Sequence, residues 1–340
     1  MDERERDRYS RQILFQPFGE AGQTALRGAS AAVVGCGALG SFHAAALARA
    51  GVGRLVLIDR DYVEWSNLQR QWLYEEADAE AALPKAVAAA RAVGRINSGV
   101  ETAPVVADLT PDNIEEHLSG AAVILDGTDN FQTRYLINDF SASVAIPWIY
   151  GGAVASYGIV MPVLPGRTAC FECVYPEAPS GAQPTCETAG VLNTVTSMVA
   201  AWQVSLAYKV LAGRAGEIEA KITVFDVWHG TTRQMNMPPR EPDCPACGTR
   251  TCRHLLGEER IPISLCGRNA VQIHDRRRPI DLEALAERLR PLGEVRSNGF
   301  ALRFVLPPHE MTVFPDGRAI IKGTQDPGVA RSLYSRYIGN

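Results

Sequence analysis

AAVVGCGALG, residues 31–40, decides how the rest of the chain is read. AAVVG is a short apolar run of the kind that forms a buried strand. GCGALG follows as GxGxxG, and an alanine-rich stretch then reads as helix to about Ala50. Strand, glycine turn and helix in that order make a phosphate cradle. Gly35, Gly37 and Gly40 let the backbone approach an anion, and the helix N-terminus supplies N–H donors and positive potential. The next apolar run, RLVLID (54–59), ends in Asp59. An acidic side chain about 20 residues past the last glycine is placed to accept hydrogen bonds from a ribose. A nucleotide site is the reading; a merely tight strand-to-helix turn is the plainer alternative.

Outward from this core the same rhythm continues. Residues 85–96 read as helix, 100–107 as strand, 111–118 as helix, 121–129 as strand and 130–144 as helix. Alternation at this spacing predicts a parallel sheet with helices on both faces. The order then changes. PWIYGGAV (147–154) and YGIVMPVLP (157–165) are strands joined by a very short turn, hence antiparallel. A loop rich in Pro, Gly and Cys covers 166–187, a long helix about 188–212, and KITVFDVWHGTTRQMNM (221–237) one or two strands. Past residue 250, ISLCGRNAVQI (263–273) and GFALRFVLP (299–307) read as strands around a helix at 281–290. PDG (315–317) is a hairpin turn between MTVF and RAIIKG, and DPGVARSLYSRYI (326–338) closes as a helix. The expected fold is α/β: a Rossmann-like mixed sheet over 1–250, plus a small α+β domain over 255–340.

Composition narrows the class. The chain has 340 residues, 46% hydrophobic and 21% charged, with a formal net charge of −4. That is ordinary globular composition, and its acidity argues against nucleic acid as the main partner. Val191 to Ala212 comes nearest to a bilayer span but carries Asn193, Gln203 and Lys209, so it reads as a buried helix. The start, MDERERDRYSRQ, has no signal-peptide apolar core, so the expected location is the cytoplasm.

The segment DRDYVEWSNLQRQ (59–71) holds more than a ribose contact requires. Asp59 and Asp61 are followed by Asn67, Gln69, Arg70 and Gln71. With Arg11, Lys85 and Asp129 they suit triphosphate chemistry, and nothing specifically provides for a nicotinamide. Taken singly, Arg11 and Arg70 also read as solvated surface charges, Lys85 as first-turn decoration, and Asp129 and Asn130 as a helix N-cap.

In order along the chain, RYSRQI (8–13), GCGALG, DRDYVEWSNLQRQ, LPKA (83–86), DGTDN (126–130) and two CxxC pairs form a specific set. The chain resembles the adenylyltransferases of thiamine and molybdopterin biosynthesis (ThiF and MoeB), bacterial relatives of ubiquitin-activating enzymes. The likeness spans roughly 1–250; the tail resembles the extension of longer members. It implies ATP-dependent adenylation of the C-terminal glycine carboxylate of a small ubiquitin-fold carrier ending in Gly-Gly. Charge then builds on phosphate oxygens, so cations and a metal matter more than a strong base. By resemblance, Asp59 and Asn67 hold ribose or adjacent phosphate, and Arg70 and Lys85 neutralise the polyphosphate. Asp129, beside Asn130, binds Mg²⁺, with Asp61 placed to assist. Arg11 matches an arginine that reaches the partner subunit's site, which implies a homodimer. Asp126 reads as structural.

There are eight cysteines, and in a reducing compartment the clustered ones suit metal or nucleophilic chemistry rather than disulfides. Cys170/Cys173 and Cys244/Cys247 are CxxC pairs that together complete a closed, structural zinc site. Two alternatives stay open: a local set of Cys244, Cys247, Cys252 and His254, or two redox motifs. Cys186, in PTCETAG (184–190), precedes a helix, where a thiol acidifies. It matches the family's crossover-loop cysteine, which in thiamine-type members forms an acyl disulfide with the thiocarboxylated carrier; an incidental thiol is the alternative. Cys36 and Cys266 read as packing residues. A sulfur donor of cysteine desulfurase or rhodanese type is a further implied partner. Competing functions are a tRNA-modifying ATP-dependent dehydratase, a catalytically silent zinc- and nucleotide-binding scaffold, and an NAD dehydrogenase.

Overall fold

A computed structural model describes residues 1–178, 186, 188–257, 264–265, 270–274, 279–315 and 317–339. Cys266 and the CGRN segment lie outside them. The chain divides into two compact units, Met1–Gly181 with Ala189–Arg260, and Ala182–Thr188 with Ile261–Asn340. Cys186 therefore belongs to the smaller unit.

The larger unit opens with helices α1 (Glu3–Ile13) and α2 (Gly19–Gly28). Asp2 and Glu5 form a capping box that starts α1. There follow β1 (Ser30–Val34), α3 (Ala38–Ala50), β2 (Arg54–Ile58), α4 (Glu76–Glu80), α5 (Lys85–Ile96) and β3 (Glu101–Val105). Next come α6 (Ile114–Leu118), β4 (Val123–Asp126), α7 (Phe131–Val144), β5 (Trp148–Val154) and β6 (Tyr157–Val163). The short α8 (Phe171–Val174), the long α9 (Asn193–Leu211), β7 (Lys221–Asp226) and β8 (Thr231–Asn236) complete it. The long helix starts later than its apolar pattern suggests, because Leu192 is extended. Residues 221–237 resolve into two strands.

The sheet order is β3-β2-β1-β4-β5-β6-β7-β8. The first five strands pair in parallel, the last three antiparallel. Both faces of the parallel part are covered. Val33, Leu55, Leu57 and Leu125 pack with Leu47, Ala89 and Val204 from α3, α5 and α9. Val34, Val56, Ile124 and Trp148 pack with Ile114, Leu136, Phe140 and Phe171 from α6, α7 and α8. Burial on both faces explains why these strands read as continuous apolar runs. From β1 the chain winds one way to β2 and β3, then returns to β4 on the other side. The crevice at this switch point, outside the carboxyl ends of β1 and β4, is where such sheets bind ligands.

The smaller unit contains β9 (Ser264–Leu265), β10 (Ala270–His274), α10 (Leu282–Leu289), β11 (Glu294–Ser297), β12 (Leu302–Leu306), β13 (His309–Val313), β14 (Arg318–Lys322) and α11 (Pro327–Tyr337). Its antiparallel sheet runs β11-β12-β13-β14-β10-β9. Leu285, Leu289, Phe304, Met311, Ile321 and Tyr334 form a separate core. No helix among the described residues is long and apolar enough to cross a membrane.

Candidate active site

The glycine loop sits at the switch point, and its glycines do different jobs. Gly35 has φ +84°, and a Cβ there would stand 2.7 Å from the Gly127 backbone. A Cβ on Gly40 would stand 1.7 Å from the Gly35 carbonyl oxygen. These two interlock β1, α3 and the end of β4. Gly37 is different: the nearest atoms to its would-be Cβ are Gln71 Nε2 at 3.9 Å and the Gly127 oxygen at 4.0 Å. Packing does not demand a glycine at 37, whereas a ligand approaching the backbone does. Gly37 is also the N-cap of α3, with no side chain capping the helix. The residues present thus fit a phosphate group.

Asp59 follows β2 and braces this loop. One carboxylate oxygen accepts from the Cys36 N–H at 2.7 Å and the other from the Asp61 N–H at 2.7 Å. Each oxygen keeps a further lone pair for a hydroxyl. Burial pushes the Asp59 carboxyl above the usual range and Asp61 adds to this, while Lys85 and the two N–H groups pull the other way. Burial and Asp59 push the Cys36 thiol well up, so it stays neutral. The Tyr74 hydroxyl fixes the loop's far side, donating to the Cys36 carbonyl at 2.7 Å, with the Lys85 carbonyl at 3.2 Å.

Lys85 opens α5, and although only 5% exposed it places Nζ 3.5 Å from Asp61 Oδ2. Its own N–H donates to the Asp61 carbonyl at 2.8 Å. Arg60 joins the same group, 2.7 Å from Asp108 and 3.7 Å from Asp61. Burial works against the Arg60 charge, but Asp108, Asp61 and Asp129 outweigh it and raise its pKa. Asn67 is buried and its amide oxygen accepts the Glu64 N–H at 3.0 Å, which closes the turn Trp65–Asn67. Arg70 is folded back on that turn, donating to the Ser66 carbonyl at 2.7 Å.

The loop after β4 carries Asp129, which is exposed, and Asn130, whose side chain accepts the Thr133 N–H at 2.8 Å as N-cap of α7. Beneath it, buried Asp126 accepts from Arg134 Nε at 3.0 Å and from the Thr128 N–H and hydroxyl at 2.8 and 2.6 Å. Gln203 of α9 donates to the Asp126 and Ile149 carbonyls, both at 2.9 Å. Its oxygen therefore accepts from His43 Nε2, at 2.9 Å. Gly35, Gly37, Asp59, Asp61 and Lys85 are thus tied together by direct contact or by their shared loop. Arg11 is exposed in the last turn of α1 and makes none of these contacts. Arg60, Asp108 and Tyr74 were not singled out as site residues from sequence, whereas Gln71 was noted there as part of the polar run that follows Asp59.

The four CxxC cysteines converge, with ligand atoms all within 4.8 Å of one another. Sulfur separations are 3.7 Å for Cys170–Cys173, 3.5 Å for Cys170–Cys244 and 3.4 Å for Cys173–Cys247. Tetrahedral Zn–S bonds of about 2.3 Å require sulfurs about 3.8 Å apart, so the cage fits such an ion. The hydrogen bond that the Cys170 thiol donates to Cys173, its bond with Cys244 and burial push that thiol up; a cation would relieve the crowding. Gly248 tightens the second knuckle, because a Cβ there would stand 2.1 Å from the Pro242 oxygen. The alternative set is not formed. Cys252 turns its sulfur towards the Asp139 carbonyl, and His254 stacks on Tyr135 at 4.7 Å.

The sequence pattern of the ThiF family matches residues 9–246. The chain belongs to the ThiF family. Beyond that segment, the chain is 44% identical over 98% of its length to the sulfur carrier protein ThiS adenylyltransferase of Bacillus subtilis (strain 168), covering 99% of that protein. It is 35% identical to the sulfur carrier protein adenylyltransferase of Thermus thermophilus, over 77% of this chain and 97% of that one. Among solved structures, E. coli MccB with MccA-N7isoASN superposes with a TM-score of 0.62 at 23% identity, over 71% of this chain and 75% of that one. This last likeness speaks for the ThiF fold alone.

Proposed function

We propose that the chain uses ATP to adenylate the C-terminal glycine carboxylate of a small ubiquitin-fold sulfur carrier, of ThiS or MoaD type. The product is readied for thiocarboxylate formation in thiamine or molybdopterin biosynthesis. The observation that carries this reading is the end-to-end likeness to the Bacillus subtilis enzyme, which includes the smaller unit. In the reaction a carboxylate oxygen forms a bond to the α-phosphorus, the bond from that phosphorus to the bridging oxygen breaks, and pyrophosphate leaves. The Gly37 N–H and the first N–H groups of α3 receive phosphate, since those of Gly35 and Cys36 already donate to the Ile58 carbonyl and to Asp59. The free lone pairs of Asp59 receive ribose, with Asn67 and Asn130 shaping the flanking loops. Lys85, Arg70 and Arg60 supply the positive charge that the transition state needs. Asp129 and Asp61 would hold Mg²⁺, whose role is to neutralise phosphate charge.

The same reading assigns zinc to Cys170, Cys173, Cys244 and Cys247 as a structural ion. It places Cys186 after adenylation, in sulfur transfer from a cysteine desulfurase or rhodanese-type donor. Arg11 would serve the site of a second subunit. Leu14 and Phe15 beside it are 70% and 62% exposed, an apolar edge that a homodimer would cover. The test is ATP–pyrophosphate exchange with Mg²⁺ and Gly-Gly-ended carriers, followed by mass spectrometry of the carrier C-terminus. An AMP adduct is expected. Absence of exchange with every ThiS- and MoaD-type carrier, while ATP binds, would refute the reading.

A further inference from the structure

The sulfur cage is backed by α7. Asn138 lies in that helix with no exposed surface. Its amide oxygen accepts the Phe171 N–H at 2.8 Å, inside the first CxxC knuckle. A backbone N–H can only donate, so this bond fixes which end of the amide is oxygen. The nitrogen end therefore faces Cys170 Sγ, 3.6 Å away. An amide nitrogen only donates, so the sulfur it faces must accept. The Glu241 N–H points at Cys173 Sγ in the same sense, at 3.5 Å. The next residue of α7, buried Asp139, holds the chain beyond the second knuckle: one carboxylate oxygen accepts the His254 and Leu255 N–H groups at 2.8 and 3.2 Å. Four thiolates carry more charge than a divalent ion cancels, and buried excess charge needs donors.

We infer that Asn138 is a positioning residue for the metal: one end of its carboxamide sets the Phe171 turn and the other donates to the Cys170 thiolate. Retention of the ion then depends on a side chain outside the four ligands. Partners of this kind orient the ligands and tune the bond that each makes to the metal. The inference rests on the assignment of zinc to the four cysteines and adds a residue to it.

The experiment uses the full chain with Zn²⁺, and the same chain reloaded with Co²⁺, whose sulfur-to-metal absorption reports the charge on the thiolates. Zinc affinity is read by competition with a chromophoric chelator. Asn138→Leu fills a similar volume and removes both bonds. Asn138→Asp keeps an oxygen for the Phe171 N–H and sets a second oxygen, in place of the donor, against the sulfur. Zinc affinity should fall about 10- to 100-fold in Asn138→Leu, the usual loss when such a partner is removed, and at least as far in Asn138→Asp. In both variants the sulfur-to-cobalt band should move to longer wavelength, because a thiolate without its donor gives up charge more easily. Should Asn138→Leu not fold, Asn138→Asp, which preserves the knuckle bond, carries the test. Unchanged zinc affinity in the folded variants, with zinc bound by the unsubstituted chain, overturns this inference alone. So does a weakened affinity with an unmoved sulfur-to-cobalt band, which marks a side chain that only packs. Failure of the unsubstituted chain to bind zinc through its cysteines overturns the metal assignment and this inference together.

Discussion

Arg134→Met isolates the charge pair beneath the loop that follows β4. Arg134 Nε lies 3.0 Å from Asp126, and its terminal nitrogen donates to the Thr128 and Gly151 carbonyls at 2.7 and 3.2 Å. The guanidinium also sits 5.0 Å from the Tyr150 ring centre. Asp126 has no exposed surface. Methionine fills most of the volume but leaves a buried carboxylate facing no cation and two carbonyls without this donor. Breaking a buried pair from one side costs about 3–5 kcal/mol, a large fraction of an ordinary domain's 5–15. The sign of the pH dependence follows. Burial pushes the Asp126 carboxyl up, and Arg134 is the strongest pull against it. Without Arg134 the folded-state pKa rises further, so the folded state binds a proton more tightly than the unfolded state. That contribution is complete below the unfolded carboxylate value and is lost as pH rises through the folded one. Urea unfolding followed by tryptophan fluorescence should therefore show a larger deficit at pH 8 than at pH 5.5. Adding Asp126→Asn should recover part of it. A deficit below about 1 kcal/mol at pH 8, or one that grows on acidification, would refute the reasoning.

Three further outcomes are expected. Gly40→Ala drives a Cβ to 1.7 Å from the Gly35 oxygen, so nucleotide binding should vanish and the melting temperature fall by many degrees, measured by calorimetry. Burial pulls His43 down to about 4, against the Gln203 hydrogen bond that favours its charge. A depressed histidine contributes stability above its unfolded value near 6.5 that is lost as pH falls towards 4, at up to about 1.4 kcal/mol per pH unit. His43→Asn should flatten that slope in denaturation curves between pH 7 and 5. Cys244→Ser should lower metal content in plasma mass spectrometry and the melting temperature together; chelation of the unsubstituted chain should do the same, with recovery on Zn²⁺ and not on Mg²⁺.

What the sequence made legible was local. The strand–glycine–helix order, the Asp59 offset and the alternating elements to Val144 are patterns within a few dozen residues, and the fold follows them. The N-terminal helices were not assigned, because ERERDRYSRQI is too polar for an apolar stripe to stand out, and its capping box carries the start instead. The long-range pairs were equally silent. Arg60 meets Asp108 across 48 positions and His43 meets Gln203 across 160, and no periodicity reports such distances. Gln203 did leave a trace as a polar residue inside an apolar helix. That trace served only to exclude a membrane span, while its amide in fact ties α3 to the end of β4 and the start of β5. The choice among cysteine sets likewise required three dimensions: spacing permits either, and only the convergence of residues 170 and 244 decides.

The geometry separates what is fixed in this site from what can exchange. Gly35, Gly40 and Gly127 interlock through backbone contacts that no rotamer change can relieve. Asp59 and Tyr74 clamp the same loop through its own N–H and carbonyl groups. A cradle held this way has its shape before any ligand arrives, so little of the binding energy is lost in ordering it. Arg60 is fixed too, by Asp108 at 2.7 Å, but the other two cations are held otherwise. Lys85 stands 3.5 Å from Asp61, beyond the length of a strong charge-assisted bond, and among the described residues Arg70 holds only a carbonyl of its own turn. Neither would forfeit much by turning to a phosphate oxygen. Rigid donors on the backbone and lightly tethered cations on side chains are what a displacement at phosphorus calls for. On the proposed reading, the first would fix the phosphate, and the second would follow its charge from the attacked phosphorus to the leaving pyrophosphate.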